Sequence, residues 1–99
     1  MAKIIVTIDP DLEDLIPDYL ENRRQDCQTV LQRLKNGDYE GIRVLGHTMK
    51  GTGGGYGFDP ITDMGRALEE AAKQPDKEAI RLVVSQLEDY LQAIEIVFR

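Results

Sequence analysis

The most informative stretch of the chain is residues 46–58, Gly-His-Thr-Met-Lys-Gly-Thr-Gly-Gly-Gly-Tyr-Gly-Phe. It holds His47, the single histidine of the protein, and five glycines within the seven residues 51–57. A phosphate-binding glycine loop is excluded, because Lys50 precedes the glycines that it would follow in a P-loop and the spacing G-x-G-x-x-G does not occur. Two interpretations remain: a flexible loop that follows an ordinary surface histidine, or a helix that continues through the glycines.

Outward from this stretch, apolar residues recur at helical spacing in four segments. Each segment is apolar on one side only, which is typical of bundle helices, and the connections are short. The sequence therefore predicts an all-α fold, an up-down antiparallel four-helix bundle with a short N-terminal extension. The predicted apolar stripes are Ile16, Leu20, Cys27, Val30, Leu31 and Leu34; Ile42, Leu45, Met49 and Tyr56; Ile61, Met64, Leu68 and Ala71; and Ile80, Val83, Val84, Leu87, Tyr90, Leu91, Ile94 and Val97.

The helix boundaries are marked by aspartates, prolines and an Asn-Gly pair. Asn36-Gly37 is predicted to end the first long helix, and Asp38 to cap the second. Asp9-Pro10 predicts a short helix over about residues 10–16 that kinks or restarts at Pro17. Residues 3–8 have strand propensity, but a single strand cannot form a sheet, so we expect them to pack as an extended cap over one end of the bundle.

Composition limits the range of functions. The formal net charge of −6 argues against a general nucleic-acid binder. The single cysteine, Cys27, leaves no internal disulfide and no multi-cysteine zinc site, and we expect it in the core. No apolar stretch approaches the roughly 20 residues of a membrane span, and no targeting segment is apparent. We therefore expect a single domain over residues 1–99, in the cytoplasm, with no metal site and no membrane association.

In a helix that continues through the glycines, His47 points away from the apolar stripe and towards water. At about 100° per residue, Lys50, Gly51 and Gly54 lie on the same face as His47. This face combines an imidazole, an ammonium and bare backbone that leaves room for a partner. Gly53 falls on the inner side of the helix, where it would let another helix approach closely.

These residues carry a resemblance to a known family. A histidine followed at +3 and +4 by Lys-Gly and at +10 by Gly is the pattern of the histidine phosphotransfer (HPt) domain family, and His47, Lys50, Gly51 and Gly57 satisfy it. The run from His47 to Phe58 is also similar to the phosphotransfer domain of chemotaxis-type histidine kinases. Other similar positions are Ile-Asp-Pro-Asp-Leu at 8–12, Pro17, Gly-Asp-Tyr-Glu at 37–40 and Ala-Leu-Glu at 67–69.

The resemblance implies a phosphocarrier with a four-helix bundle fold, without a kinase or ATP-binding domain. His47 would accept a phosphoryl group from an aspartyl phosphate on a receiver domain, or from a kinase, and pass it to the aspartate of another receiver. The implied partners are response-regulator receiver domains and a hybrid or chemotaxis-type histidine kinase, docked over Gly51 and Gly54. No cofactor is expected, since any Mg²⁺ would belong to the receiver, and the protein is expected to be a monomer.

Phosphoryl transfer depends mainly on positioning and on stabilising negative charge. Lys50 and Arg43 lie one turn from His47 on its own face, so both are candidates to stabilise the phosphoryl group. A turn near residues 57–59 would return helix three alongside helix two and bring Arg66 and Glu69 close to His47. In the chemotaxis-kinase relatives a glutamate at +22 bonds a ring nitrogen, so the resemblance implies that Glu69 orients His47.

Three other hypotheses stay open. A module of the same fold that binds a receiver without carrying phosphate would need neither His47 nor Lys50. A domain of a larger kinase would be phosphorylated by an ATP-dependent catalytic domain, although Met1 and a complete bundle favour a free-standing protein. A helical enzyme would use acid–base carboxylates, but no paired arrangement stands out among the 18 acidic residues.

Overall fold

The computed structural model describes residues 3–99 of the chain. Within this range four α-helices account for most of the fold, and they span α1 (Ile16–Lys35), α2 (Tyr39–Thr52), α3 (Asp59–Lys73) and α4 (Lys77–Ala93). Two strands, β1 (Ile4–Ile8) and β2 (Ile94–Phe98), flank the helices in sequence, and single 3₁₀ turns cover Pro10–Leu12 and Gly54–Tyr56. The predicted helical bundle is confirmed, and a small sheet is added to it.

Aspartates cap two of the helices, and the first of them, Asp38, is the predicted cap. The Asp38 carboxylate accepts a hydrogen bond from the backbone N–H of Gly41 at 2.9 Å, which caps α2. Asp76 caps α4 in the same way, through the N–H of Ala79 at 3.0 Å. Gly37 has a φ of 71°, a conformation that glycine adopts without strain, and it reverses the chain between α1 and α2.

The core lies between the four helices and is built from the predicted apolar stripes. Cys27 is buried in it, as predicted, and so is Phe58, whereas Leu31 of the first predicted stripe is 38% exposed on the outside of α1. The Tyr19 ring stacks on Tyr56 and Phe58, with centroids 4.3 and 5.8 Å apart, so the aromatic end of the glycine-rich stretch is anchored to α1. No helix in residues 3–99 combines the length and apolar character needed to cross a membrane.

The two ends of the chain form a parallel two-stranded sheet, with Ile4 opposite Ile94 and Ile8 opposite Phe98. Two predictions are therefore wrong: residues 3–8 are not an isolated extended cap, and the fourth helix does not continue to Val97. Residues 94–98, Ile-Glu-Ile-Val-Phe, are rich in β-branched and aromatic side chains, which favour a strand. The prediction failed because Leu91, Ile94 and Val97 recur every three residues, a spacing that fits the end of a helix equally well. Pairing with β1, at the other end of the chain, cannot be recognised from the local sequence.

The predicted short helix over about residues 10–16 is also wrong. Only the 3₁₀ turn Pro10–Leu12 forms there, capped by Asp9, whose Oδ1 accepts a hydrogen bond from the N–H of Asp11 at 2.9 Å. The helix α1 begins at Ile16 with Pro17 in its first turn, as the predicted restart requires. Proline is tolerated at this position because the first N–H groups of a helix have no partner within the helix.

The predicted helix through the glycines ends earlier, since α2 stops at Thr52. A 3₁₀ turn follows, and Gly57 adopts a φ of 95° that only glycine occupies readily. This turn lets the N–H of Phe58 bond to the carbonyl of Gly53 at 2.8 Å. Each glycine costs a helix roughly 1 kcal/mol relative to alanine, so a run of them favours the turn. The turn returns α3 alongside α2. These two helices form the most extensive helix pairing in the fold.

Candidate functional site

His47 lies on the outer face of α2, and 65% of its side chain is exposed. The buried residues Ile42 and Met49 of the same helix face the core instead. The predicted orientation of His47 towards water is therefore confirmed. The residue lies within α2 rather than in a loop, so the helix sets the position of its backbone relative to α3.

Glu69 connects α3 to two side chains of α2. Among residues 3–99 it is the only charged residue that is buried, with a relative exposure of 5%. Its Oε2 lies 3.0 Å from Nδ1 of His47, and its Oε1 accepts a hydrogen bond from Nζ of Lys50 at 2.7 Å. The structure therefore brings together the three predicted residues His47, Lys50 and Glu69 around one carboxylate.

The protonation state of this cluster follows from its hydrogen bonds. The hydrogen bond from the Lys50 ammonium holds the pKa of Glu69 below its ordinary value of 4.5, against the opposing effect of burial, and the bond to His47 acts in the same direction. Glu69 is thus ionised at neutral pH and can only accept hydrogen bonds. The proton between the two groups is therefore on Nδ1 of His47. In the neutral ring, Nε2 then carries the free lone pair.

Arg43 and Arg66 are engaged with carboxylates of their own helices. Arg43 donates from Nε to Glu40 at 2.9 Å, and this pair, more than the nearby Glu69, raises the pKa of Arg43. Nη1 of Arg66 lies 3.3 Å from Oδ1 of Asp63. In residues 3–99 neither guanidinium makes a hydrogen bond or ion pair with His47 or Glu69, so the structure does not bring them to the ring. Their role as phosphoryl-stabilising groups stays a prediction.

The predicted glycines have three different environments. Gly51 is exposed, and a Cβ added there would meet no atom within 4 Å, so the surface next to His47 is open. Gly53 is buried against α3, as predicted, because an added Cβ would lie 2.6 Å from the backbone nitrogen of Thr62. Gly54 does not extend the face of His47, since the helix has already ended. Its N–H instead donates to Oγ1 of Thr62 at 2.8 Å.

Two further glycines, which the sequence reasoning misses, lie where α2 crosses α3. Gly46 and Gly65 are both buried and face each other. A Cβ added to Gly46 would lie 2.9 Å from the carbonyl oxygen of Gly65, and one added to Gly65 would lie 2.7 Å from that of Gly46. The sequence does hold one signal for them. Glycine costs about 1 kcal/mol inside a helix, yet Gly46 directly precedes His47 and Gly65 lies four positions before Glu69.

Next to the ring, α2 also presents a patch of small, uncharged and partly apolar residues. Val44 is 49% exposed, Thr48 is exposed and returns its hydroxyl to the carbonyl of Val44 at 3.1 Å, and Gly51 follows one turn later. Together with His47 these residues form what we term the His47 face. In residues 3–99 no group of three or more His, Cys, Asp and Glu residues is arranged to hold a metal ion.

The chain matches the family described as Hpt domain over residues 14–96. It therefore belongs to the Hpt domain family, whose members are four-helix-bundle modules of histidine phosphotransfer in two-component phosphorelays. Hpt domains interact with response-regulator receiver domains and with kinases. Comparison with curated proteins and with solved structures gave no significant match. The strand β1 precedes the matched residues, and the closer similarity to chemotaxis-type kinases stays a prediction.

Proposed function

We propose that this protein is a phosphocarrier whose acceptor atom is Nε2 of His47. It would receive a phosphoryl group from the aspartyl phosphate of a receiver domain, or from a kinase, and deliver it to the aspartate of another receiver. The observation that supports this most strongly is the pairing of an exposed imidazole with a buried carboxylate, 3.0 Å from its other nitrogen. A surface histidine without a role needs no such partner.

The chemistry of the step balances with the groups present. The Nε2 lone pair of His47 attacks phosphorus and forms an N–P bond, while the bond from phosphorus to the aspartyl oxygen breaks and leaves its electron pair on that carboxylate. No proton has to leave the ring, because Nδ1 keeps its own. The phosphorylated ring is then positively charged, and the carboxylate of Glu69 stabilises this charge from 3.0 Å. Delivery to the next receiver is the same step in reverse.

Lys50 supports the reaction through charge. Its ammonium contacts the same carboxylate as His47, so it lies beside the ring, and 32% of its side chain is exposed towards the solvent. Because the transferred group carries negative charge on three oxygens, a nearby fixed cation stabilises the transition state. The Glu69 carboxylate holds this cation in place before the partner arrives.

Docking would take place on the His47 face. The open surface at Gly51 and the exposed side chain of Val44 let a receiver approach the ring closely. We expect the receiver to bring its own Mg²⁺, together with the acidic residues that hold it. We propose that the protein is a cytoplasmic monomer and a carrier rather than a self-contained enzyme.

The test is phosphoryl transfer from a panel of phosphorylated receiver domains to the wild-type protein and to His47→Gln. Glutamine keeps a polar side chain of similar length but cannot form the phosphoramidate. We expect an acid-labile, base-stable label on the wild type and none on the variant, with both proteins equally folded. A label that persists on His47→Gln would contradict the proposal. Binding of receivers by both proteins, with no transfer to either, would instead identify a receiver-binding module.

A further inference from the structure

Gly46 of α2 contacts Gly65 of α3, so the backbones of the two helices meet there with no side chain between them. Added methyl groups would meet backbone atoms of the site residues themselves. A Cβ on Gly46 would lie 2.8 Å from the nitrogen and 3.2 Å from the Cα of Glu69. A Cβ on Gly65 would lie 2.9 Å from the Cα of Lys50 and closer still to its nitrogen.

We infer that Gly46 and Gly65 are positioning residues for the phosphoacceptor. Their missing side chains set the distance between α2 and α3 at which one Glu69 carboxylate reaches both His47 and Lys50. This inference rests on the proposed function, because it assigns to the two glycines the control of the same acceptor ring. Beyond that function, the helix spacing at this crossing determines which ring nitrogen of His47 carries the proton.

The size of the effect follows from the distances. Ordinary van der Waals contact begins at 3.4 Å, so a methyl group on Gly65, 2.7 Å from the carbonyl oxygen of Gly46, requires an opening of roughly 0.7 Å or more. Backbone atoms of packed helices cannot rotate away as a flexible side chain does. An opening of this size would lengthen the 3.0 Å contact of Glu69 with His47 beyond normal hydrogen-bond distance. The long side chain of Lys50 can extend to follow the carboxylate, so the contact with the ring is the one that is lost.

The chain offers a matched control for the effect of crowding alone. Gly53 also packs against the backbone of α3, and an added Cβ would lie 2.6 Å from the nitrogen of Thr62. This contact is at the far end of α2, in the first turn of α3, seven positions before Glu69 in the sequence. Gly53→Ala therefore introduces a comparable clash between the same two elements at a position away from the acceptor cluster.

The direct readout is the tautomer of the unphosphorylated His47 ring, measured by ¹⁵N NMR at alkaline pH in the wild type, Gly65→Ala, Gly53→Ala and Glu69→Gln. We expect the wild type and Gly53→Ala to hold the proton on Nδ1. Gly65→Ala should lose this preference as fully as Glu69→Gln does. Phosphoryl acceptance should fall roughly tenfold in both, the scale on which partners of a functional imidazole act. The double variant Gly65→Ala/Glu69→Gln should be no slower than either single variant.

An unchanged tautomer and rate in folded Gly65→Ala would overturn the inference. If that variant does not fold, Glu69→Asp tests the same distance without crowding the helices, because its carboxylate is one methylene shorter. Retention of the Nδ1 proton in Glu69→Asp would show that the spacing does not matter and would equally overturn the inference. These outcomes are separate from the carrier role of His47 in the proposed function. That role fails if no label forms or if the label does not depend on His47, whatever the tautomer.

Discussion

Nδ1 of His47 and Oε2 of Glu69 are 3.0 Å apart although the two residues are 22 positions apart in the sequence. The contact crosses from α2 to α3, and the same carboxylate accepts a hydrogen bond from Lys50. The exposed imidazole of His47 is thus oriented by the buried carboxylate of Glu69. Because the side chain is 65% exposed and Nδ1 faces Glu69, we expect Nε2 to be the ring nitrogen that a partner reaches.

The first prediction concerns acid stability. The pKa of Glu69 is lower in the folded protein than its ordinary value of 4.5, so its ionised form stabilises the fold. This contribution is fully present above the unfolded-state pKa and is lost as the pH falls through the lower folded-state value. Urea unfolding of the wild type should therefore show a steeper loss of stability below about pH 4.5 than that of Glu69→Gln. Parallel pH profiles for the two proteins would contradict this.

The second prediction separates the charge of Lys50 from its packing. Lys50→Met removes the ammonium that holds the pKa of Glu69 down, and it removes a cation beside the transferred phosphoryl group. We expect phosphoryl acceptance to slow by about tenfold or more, with the bundle still folded. Lys50→Arg is the control and should keep most of the rate, since it retains the charge. A Lys50→Met variant as fast as the wild type would remove Lys50 from the reaction.

The third prediction concerns the strand that precedes the family match. Ile8 is 1% exposed and packs into the core from β1, whereas Ile5 of the same strand is 59% exposed. Ile8→Ala should lower the free energy of unfolding by about 3 kcal/mol, and Ile5→Ala by about 0.5 kcal/mol or less. Both are measured by urea denaturation, and neither should change the rate of phosphoryl acceptance. Equal effects of the two substitutions would show that β1 does not contribute to the core.

The fourth prediction concerns Cys27. Burial is the main cause that raises the pKa of its thiol to about 11, and the side chain is only 2% exposed. Because the thiolate is the reactive form, a thiol reagent should label the native protein slowly at neutral pH. Labelling should become rapid in denaturant. Rapid, complete labelling of the native protein would place Cys27 outside the core.

The sequence was sufficient to predict that four long helices form and that His47 points outward, because both follow from the local spacing of apolar residues. It was insufficient for the sheet, since the pairing of Ile4 with Ile94 joins residues at opposite ends of the chain. The end of α2 at Thr52 depends on the summed free-energy cost of placing several glycines in a helix. No single glycine in the sequence shows where the helix stops. The Gly46–Gly65 crossing depends on the relative position of two helices, so it becomes visible only once they are packed.

The fifth prediction addresses the central claim, that Glu69 holds the Nδ1 proton so that Nε2 accepts the phosphoryl group. The most direct measurement is NMR of the phosphorylated protein, with ³¹P and ¹⁵N spectra that identify the nitrogen bonded to phosphorus. We predict a single phosphoramidate at Nε2 of His47, with a proton retained on Nδ1. A phosphoryl group on Nδ1, or on any residue other than His47, would contradict the account.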